Sequence, residues 1–469
     1  MQTPSVSFSA IDLLLILAYF AGVMWVGFRA RRRSGTGAEE YLLAGRTLTL
    51  PMFVATLVST WYGGILGVGE YSYRYGISNW VVFGVPYYFF ALVFALFIAK
   101  KAREGNAGSV PDQLFRAYGR PTSIVGALLT FVLVTPAAYV LMLGVLVQLI
   151  FGIDLTIAIL LSTLATVCYL YAGGFRSDVH ANVLEFILMF LGFAVIVPFA
   201  AMKFGGMQFL QSHLPPLHLT WHGGNSFQFI LVWFFIALWT LVDPAFYQRC
   251  AAAKDGETAK KGILVSIGFW FVFDFLTSTA GLYARAALPD LKEPMFSYPL
   301  LAELTLPSVA KAIFYIGMLA TIMSTLSSLT FIGATTIGKD IVGRLWERNG
   351  RPSEGALIMR WSQYGLVITG VFAILMAVLI PSVVRLWYSI GTAIIPGLLV
   401  PLMASYFPAL KIRAPFALAA MVAGCLTSSV WLAAGMMNGG SYFFSIEPMY
   451  PGLVLSIVVW LAGRFSRDI

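Results

Sequence analysis

Four hydroxyl side chains lie on one face of an otherwise apolar segment. Thr321, Ser324, Thr325 and Ser328 follow each other at i, i+3, i+4 and i+7, which is the spacing of one helical face. A hydroxyl in hydrocarbon costs free energy unless it finds a partner, so this stripe must face another helix, water or an ion. Sodium is a hard cation, and hydroxyls and free carbonyls are oxygen ligands of the kind it prefers. The same stripe also suits the close packing of two helices.

Three acidic residues also fall inside apolar segments, where charged side chains are costly and generally functional. Asp274 lies in the middle of an aromatic run at 269–275, either as a coupling acid or protonated and hydrogen-bonded to a neighbour. Glu185 is the second candidate coupling acid, unless it reaches cytoplasmic water. Asp243 precedes Pro244, so it suits both contact with a substrate and capping of the helix that follows.

The composition shows what kind of fold must position these groups. Of the 469 residues, 59% are hydrophobic and only 11% are charged, as is typical of polytopic membrane proteins. We therefore predict an all-α membrane protein with about 13 transmembrane helices. The thirteen apolar segments cover residues 9–28, 51–69, 78–99, 123–150, 153–172, 180–202, 226–247, 262–284, 308–336, 357–381, 383–406, 415–435 and 447–463.

The basic residues alternate between the two sides of this arrangement. With the N-terminus outside and the C-terminus in the cytoplasm, 24 of the 30 Lys and Arg residues fall in the seven inner connections. This asymmetry follows the positive-inside rule and predicts an integral protein of the plasma (inner) membrane. The net charge of +9 is then a topology signal and does not indicate a nucleic-acid partner. Membrane lipid is the expected surroundings, and no obligate protein partner is evident.

Two of the apolar segments carry helix breakers. The second contains Gly63, Gly64, Gly67 and Gly69, and the seventh contains Asp243 directly before a proline. Glycines can serve close packing alone, but breaks at matching places in two halves indicate an inverted-repeat transporter. We expect a peripheral first helix with a basic loop (1–45), two repeats (46–225 and 226–410), and two peripheral helices (411–469).

The sequence resembles the sodium:solute symporter family. Six segments match in order: GRTL at 45–48, SVPDQL with RAYGR at 109–120, YLYAGGF at 169–175, QR with AAAK at 248–254, ARAALP at 284–289, and MSTLS at 323–327 with DI at 340–341. The resemblance implies a leucine-transporter (LeuT)-like fold, a five-plus-five inverted repeat with two broken helices. It also implies a sodium site formed by Ser59, Tyr62 and Thr321 through their carbonyls and by Ser324 and Thr325 through their hydroxyls.

One departure from the family concerns a second ion. Many members have Thr-Asp where this chain has Ala181-Asn182, so the family's carboxylate is replaced by an amide. A second ion would rely on Asn182 with Ser327 and Ser328, and Asp178 or Glu185 could compensate for the missing charge.

The solute contacts are expected on the two broken helices. The candidates are Thr60, Trp61, Gly63, Gly64, Ile236, Trp239, Thr240 and Asp243. Trp239 matches the position of an aromatic that gates the inner side in the family. None of these residues is basic, so a solute carboxylate would depend on the N-terminal dipole of a broken half-helix.

The predicted function is sodium-coupled symport of a small organic solute by alternating access, with Na⁺ as coupling ion and no organic cofactor. A proton-coupled carrier of the same fold is one alternative, with Asp274 or Glu185 titrating. A membrane sensor that binds the solute without transporting it is another. An enzyme is not expected, because no Ser-His, paired-Asp or HExxH arrangement falls within the spans.

Overall fold

The computed structural model describes residues 6–31, 37–347 and 355–466. Within these residues the chain is helical throughout, apart from loops and one isolated backbone bridge. The first half contains α1 (Ala10–Arg31), α2 (Ala38–Leu43), α3 (Leu50–Trp61), α4 (Ile65–Tyr75), α5 (Val85–Phe97), α6 (Ala99–Glu104), α7 (Val110–Tyr118), α8 (Arg120–Leu133), α9 (Ala137–Phe151), α10 (Leu155–Phe204) and α11 (Met207–His213).

The second half contains α12 (Phe227–Ile236), α13 (Trp239–Val242), α14 (Pro244–Ala252), α15 (Gly256–Ala287), α16 (Ser297–Thr305), α17 (Ala310–Thr335), α18 (Arg344–Glu347), α19 (Gly355–Leu379), α20 (Val383–Tyr406), α21 (Ala414–Met437) and α22 (Met449–Phe465). Two segments of π-helix, Trp80–Gly84 and Thr336–Gly343, lead into α5 and follow α17.

Among the described residues, ten helical segments are long and apolar enough to cross a membrane. The pair α3 and α4, bent by 58°, makes an eleventh. Two shorter apolar helices, Leu155–Cys168 and Met449–Phe465, occupy the two remaining predicted positions. The architecture is thus the expected all-α membrane fold, and the total of thirteen crossings stays a prediction. The predicted cytoplasmic basic residues at 32–33, 348, 351 and 467 lie outside the described residues.

Both predicted helix breaks are present. The first separates α3 from α4 at residues 62–64, and a Cβ on Gly64 would overlap the indole of Trp387. The second separates α12 from α13 at residues 237–238 and α13 from α14 at Asp243. The glycines of the first break therefore fit both interpretations of the sequence, helix breaking and close packing, because they unwind the helix and also allow a close approach.

Three sequence predictions need correction. Residues 173–179, expected to connect two spans, are helical, and α10 runs without a loop across a kink at Gly174, where φ is 60°. A break at residues 134–136 divides α8 from α9 inside one predicted span. Arg249, counted among the basic residues of a cytoplasmic connection, lies on α14 and is fully buried.

Helix α17 lies at the centre of the bundle. Its close neighbour is α10, and the two backbones meet at a glycine pair, since a Cβ on Gly317 would lie 2.8 Å from Cα of Gly192. Only glycine permits this approach. It brings the hydroxyl stripe of α17 between α10 and the broken helix α3.

Candidate ion and solute site

The break after α3 frees backbone oxygens. The last four carbonyls of an α-helix have no donor in their own helix, and in α3 they belong to residues 58–61. Ser324 Oγ donates to the Ser59 carbonyl over 2.9 Å, and Thr325 Oγ1 donates to the same carbonyl over 3.3 Å. Thr325 Oγ1 also donates to the Thr60 carbonyl over 2.6 Å. The stripe on α17 therefore packs against the free end of α3.

Thr321 adds a third carbonyl to this cluster. Its oxygen accepts from Ser324 Oγ at 3.0 Å and lies 3.5 Å from Thr325 Oγ1, while its own hydroxyl turns away to the Gly317 carbonyl. The side chains of these residues are buried. Two hydroxyls and the carbonyls of Ser59 and Thr321 thus converge between two helices, and an all-oxygen donor set fits a hard cation.

Tyr62, the fifth residue of the predicted sodium group, lies in the break itself. Its hydroxyl donates to the Asp274 carboxylate and lies 2.8 Å from Thr277 Oγ1, both on α15. Its side chain therefore points away from Ser324 and Thr325, which leaves only its backbone for an ion.

A second polar cluster, the Arg249 chamber, is buried one turn further along α17. Arg249 Nη2 lies 2.7 Å from Ser328 Oγ, 2.8 Å from Thr60 Oγ1 and 3.5 Å from Asp178 Oδ2. Asp178 also accepts from Ser327 Oγ at 2.6 Å and from Ser328 Oγ at 2.7 Å. Helices α3, α10, α14 and α17 meet here.

Asn182, predicted to help bind a second ion, belongs to this chamber. Its amide nitrogen lies 2.9 Å from Thr56 Oγ1 and 3.1 Å from Ser328 Oγ. With Ser327 and Ser328, all three predicted second-ion residues are therefore together, and Asp178 supplies the carboxylate from one turn earlier. The guanidinium of Arg249 is the positive charge among them.

A cavity of about 120 Å³ adjoins the cluster on α3 and α17. One water needs roughly 10–15 Å³ on the same measure, so a small organic molecule has room here. Of the predicted solute residues, six line the cavity: Thr60, Trp61, Gly64, Ile236, Trp239 and Asp243. Gly63 instead packs on Thr325 and Tyr139, and Thr240 is fully buried outside the lining. Tyr62 and Thr325 line the cavity as well as belonging to the predicted sodium group.

The two aspartates on the cavity wall have different surroundings. Both carboxylate oxygens of Asp274 accept from tyrosines, one from Tyr62 and one from Tyr88. Asp243 caps α14, where its Oδ1 accepts from the Ala245 N–H over 2.7 Å. Capping of α14 by Asp243, one of the two sequence interpretations, is thus present, and the same side chain also faces the cavity.

Glu185 does not reach water. Its side chain is fully buried, 3.4 Å from the Tyr19 hydroxyl of α1, and it does not line the cavity. The interpretation of Glu185 as a water-exposed residue is therefore wrong, because α1 covers this face of α10.

Sequence reasoning missed most of the aromatic wall. The wall also contains Trp270, Trp387, Tyr87 and Tyr139. They come from four different helices, none of which carries a break predicted from the sequence. Aromatic residues make up 15% of the chain, so a single Trp or Tyr gives no local signal.

Comparisons with known proteins show the family of this chain. The model of the sodium:solute symporter family matches residues 41–429, and the chain belongs to that family. It is 27% identical to the sodium/pantothenate symporter of Escherichia coli (strain K12), over 97% of each chain. It is 24% identical to the osmoregulated proline transporter OpuE of Bacillus subtilis (strain 168), over 96% of this chain and 94% of that one. The high affinity choline transporter 1 of Homo sapiens is 24% identical, over 81% of this chain and 70% of that one.

Solved structures support the fold. A Na⁺-coupled sialic acid symporter, solved in a substrate-bound outward-open state, superposes with a TM-score of 0.79 at 16% identity, over 98% of both chains. MHP1, a nucleobase-cation-symport-1 family transporter, superposes with a TM-score of 0.56 at 12% identity, over 90% of this chain and 94% of that one. The protein is thus an integral membrane transporter of LeuT-like fold and not an enzyme. It is a sodium-coupled symporter of a small solute.

Proposed function

We propose that this symporter binds one sodium ion between α3 and α17 and a small organic solute in the adjoining cavity, and that it carries both inward. The sodium ligands would be the carbonyls of Ser59, Tyr62 and Thr321 and the hydroxyls of Ser324 and Thr325. The observation that carries the proposal is the position of Thr325. Its hydroxyl contacts the free carbonyls of α3, and its side chain also lines the cavity.

This shared position supplies a physical link between ion and solute. A sodium ion would hold the unwound end of α3 against α17, and the same contact would complete the cavity wall at Tyr62 and Thr325. The solute would therefore bind more tightly when sodium is present. By thermodynamic linkage, sodium would bind more tightly by the same factor when the solute is present.

The Arg249 chamber supports a stoichiometry of one sodium. The guanidinium already contacts the hydroxyls of Thr60 and Ser328 and pairs with Asp178, so a second cation would meet a like charge. One ion moving inward with the membrane potential supplies about 2.3 kcal/mol per 100 mV, in addition to its concentration gradient. The N-terminus would lie outside and the C-terminus in the cytoplasm. The sodium concentration gradient and the membrane potential would both be directed inward, so both would drive uptake.

The first test is a sodium titration of the purified full chain, with potassium chloride at constant ionic strength as the ionic control. Thermal stability is the readout, compared between the unmodified protein and the Ser324→Ala/Thr325→Ala variant. We expect a saturable, sodium-specific stabilisation with a Hill coefficient near 1 that the double variant lacks. A Hill coefficient near 2 would contradict the single site, and an undiminished shift in the variant would contradict its location.

A proton-coupled carrier is the second candidate, because Asp274 is a fully buried carboxylate on the cavity wall. It predicts stabilisation on acidification without sodium, removed by Asp274→Asn. Solute flux into proteoliposomes then separates both carriers from a sensor, which would bind the solute without moving it.

A further inference from the structure

The cavity wall is mainly aromatic. Trp61, Trp239, Trp270, Trp387, Tyr87 and Tyr139 all line it. Several of these rings meet edge to face or tilted, including Trp61 with Tyr87 at 5.4 Å and Trp61 with Trp270 at 6.0 Å between ring centroids. The face of an aromatic ring carries negative electrostatic potential, and rings arranged around a space attract an organic cation.

The charged side chains on the wall are acidic. Asp243 and Asp274 line the cavity, and no Lys or Arg stands among its lining residues in the described part of the chain. Tyr62 and Tyr88 already engage both oxygens of Asp274. Asp243 is only 5% exposed, and the one donor to its carboxylate among the described hydrogen bonds is the Ala245 N–H on Oδ1. A carboxylate that faces a cavity and accepts from one backbone donor favours a positively charged ligand.

Three features disfavour a solute carboxylate as the recognised group. Helix α14 begins at the cavity, but the carboxylate of Asp243 already occupies its N-terminus. The N-terminus of α4 begins after Gly64, and the indole of Trp387 packs directly against that glycine. The nearest buried cation, Arg249, directs its guanidinium to Asp178 and the neighbouring hydroxyls.

We propose that the solute is a small organic ammonium ion, held by the aromatic faces of the cavity with Asp243 as its counter-charge. This inference rests on the proposed function, because it names the substrate class of that cavity. The positive group would lie among Trp61, Tyr87 and Tyr139, beside the carboxylate of Asp243. The remaining part of the solute would have to be small and need not carry an anionic group.

The test compares two molecules of the same shape. Choline and its uncharged carbon isostere 3,3-dimethylbutan-1-ol are titrated against the purified full chain in saturating sodium, followed by tryptophan fluorescence and thermal stability. We expect choline to bind saturably and the isostere to bind at least tenfold more weakly. Equal affinities for the two molecules would overturn the proposal. Binding of pantothenate, an anion without an ammonium group, in the absence of choline binding would do so too.

Two variants locate the interaction. Asp243→Asn keeps an acceptor for the α14 cap, so the fold should survive, while choline affinity should fall at least tenfold and affinity for the isostere should not change. Tyr87→Phe keeps the aromatic face and should bind choline within about twofold of the unmodified protein, whereas Tyr87→Leu should lose at least fivefold. Unchanged choline affinity in Asp243→Asn, or equal affinity in the two Tyr87 variants, would overturn the assignment.

The sodium titration distinguishes a failure of the ammonium inference from a failure of the proposed function. Asp243→Asn should retain the sodium-specific stabilisation, since Asp243 is outside the predicted ion group. A sodium shift with no choline binding would overturn the ammonium inference alone. The absence of any sodium shift in the unmodified protein would instead overturn the proposed function.

Discussion

The hydroxyl of Tyr62 donates to the carboxylate of Asp274, joining the break in α3 to the middle of α15. Tyr62 lies three residues beyond Ser59, whose carbonyl faces the hydroxyls of α17. Asp274 lies on the cavity wall. This hydrogen bond therefore connects the predicted ion group, the cavity and a helix of the predicted second repeat, and through it Asp274 holds the side chain of Tyr62 in place.

Replacing Tyr62 by Phe should weaken sodium binding about tenfold. The substitution removes a hydrogen bond to a charged group, which contributes roughly 1.5–3 kcal/mol, and so loosens the break. Tyr88→Phe is the matched control, because it removes the other tyrosine donor to Asp274 but lies on α5, away from the ion group. Sodium titrations followed by thermal stability should show the loss only in Tyr62→Phe. Equal losses of sodium affinity in both variants would mean that sodium binding depends on the hydrogen bonds of Asp274 and not on the geometry of the break.

A methyl group at Gly63 should abolish the sodium response. Its Cβ would overlap Thr325 Oγ1 and the ring of Tyr139, so α3 and α17 would have to separate. Gly22→Ala on α1 is the control, because a Cβ there meets nothing within 4 Å. Sodium-dependent thermal shifts should disappear in Gly63→Ala and persist in Gly22→Ala. A normal shift in Gly63→Ala would show that the close contact is not needed for ion binding.

These positions also show which features of the site can be predicted from the sequence. Gly64 and Pro244 break helices through their own backbone chemistry, so both breaks could be predicted locally. The hydroxyl stripe could be predicted because Ser324 and Thr325 share one helical face. Trp387 could not, since nothing near it in the chain reveals that it packs on Gly64.

Arg249 was misassigned for a related reason. The positive-inside rule assigns a basic residue near the end of a span to an inner loop. Arg249 is buried instead, because it pairs with Asp178, which is distant in the sequence. Pairing across 71 residues is invisible to hydropathy. Asp178 lies one turn before Asn182 on the same face of α10, so its carboxylate also reaches Ser327 and Ser328.

The Arg249–Asp178 pair should be strongly coupled in stability. Removing one member of a buried ion pair leaves an uncompensated charge and costs about 3–5 kcal/mol. Arg249→Gln and Asp178→Asn should each lower the thermal unfolding temperature markedly, and the double variant should recover part of the loss because no charge is left unpaired. Thermal unfolding of the four proteins forms a double-mutant cycle. Additive losses would contradict the pairing.

The last prediction concerns the end of the molecule that is predicted to face the cytoplasm. Asp112 on α7 pairs with Lys339, at 3.2 Å, and with Arg344, which links the first predicted repeat to the chain after α17. Burial alone would raise the pKa of Asp112, but Lys339, the Gly108 N–H and Arg344 outweigh it and hold the pKa below its ordinary value of 3.8. A carboxyl whose pKa is lowered by folding stabilises the native state above its unfolded pKa and loses that contribution as pH falls through the folded one.

Asp112→Asn should therefore be less stable than the unmodified protein at pH 7, and the difference should shrink as the pH falls below about 4. Thermal unfolding measured from pH 7 to pH 3 gives this difference directly. Asp290→Asn is the control, because Asp290 is exposed in the turn after α15 and makes no ion pair within the described part of the chain. A stability gap for Asp112→Asn that stays constant with pH would mean that the contact acts through packing, without the charge.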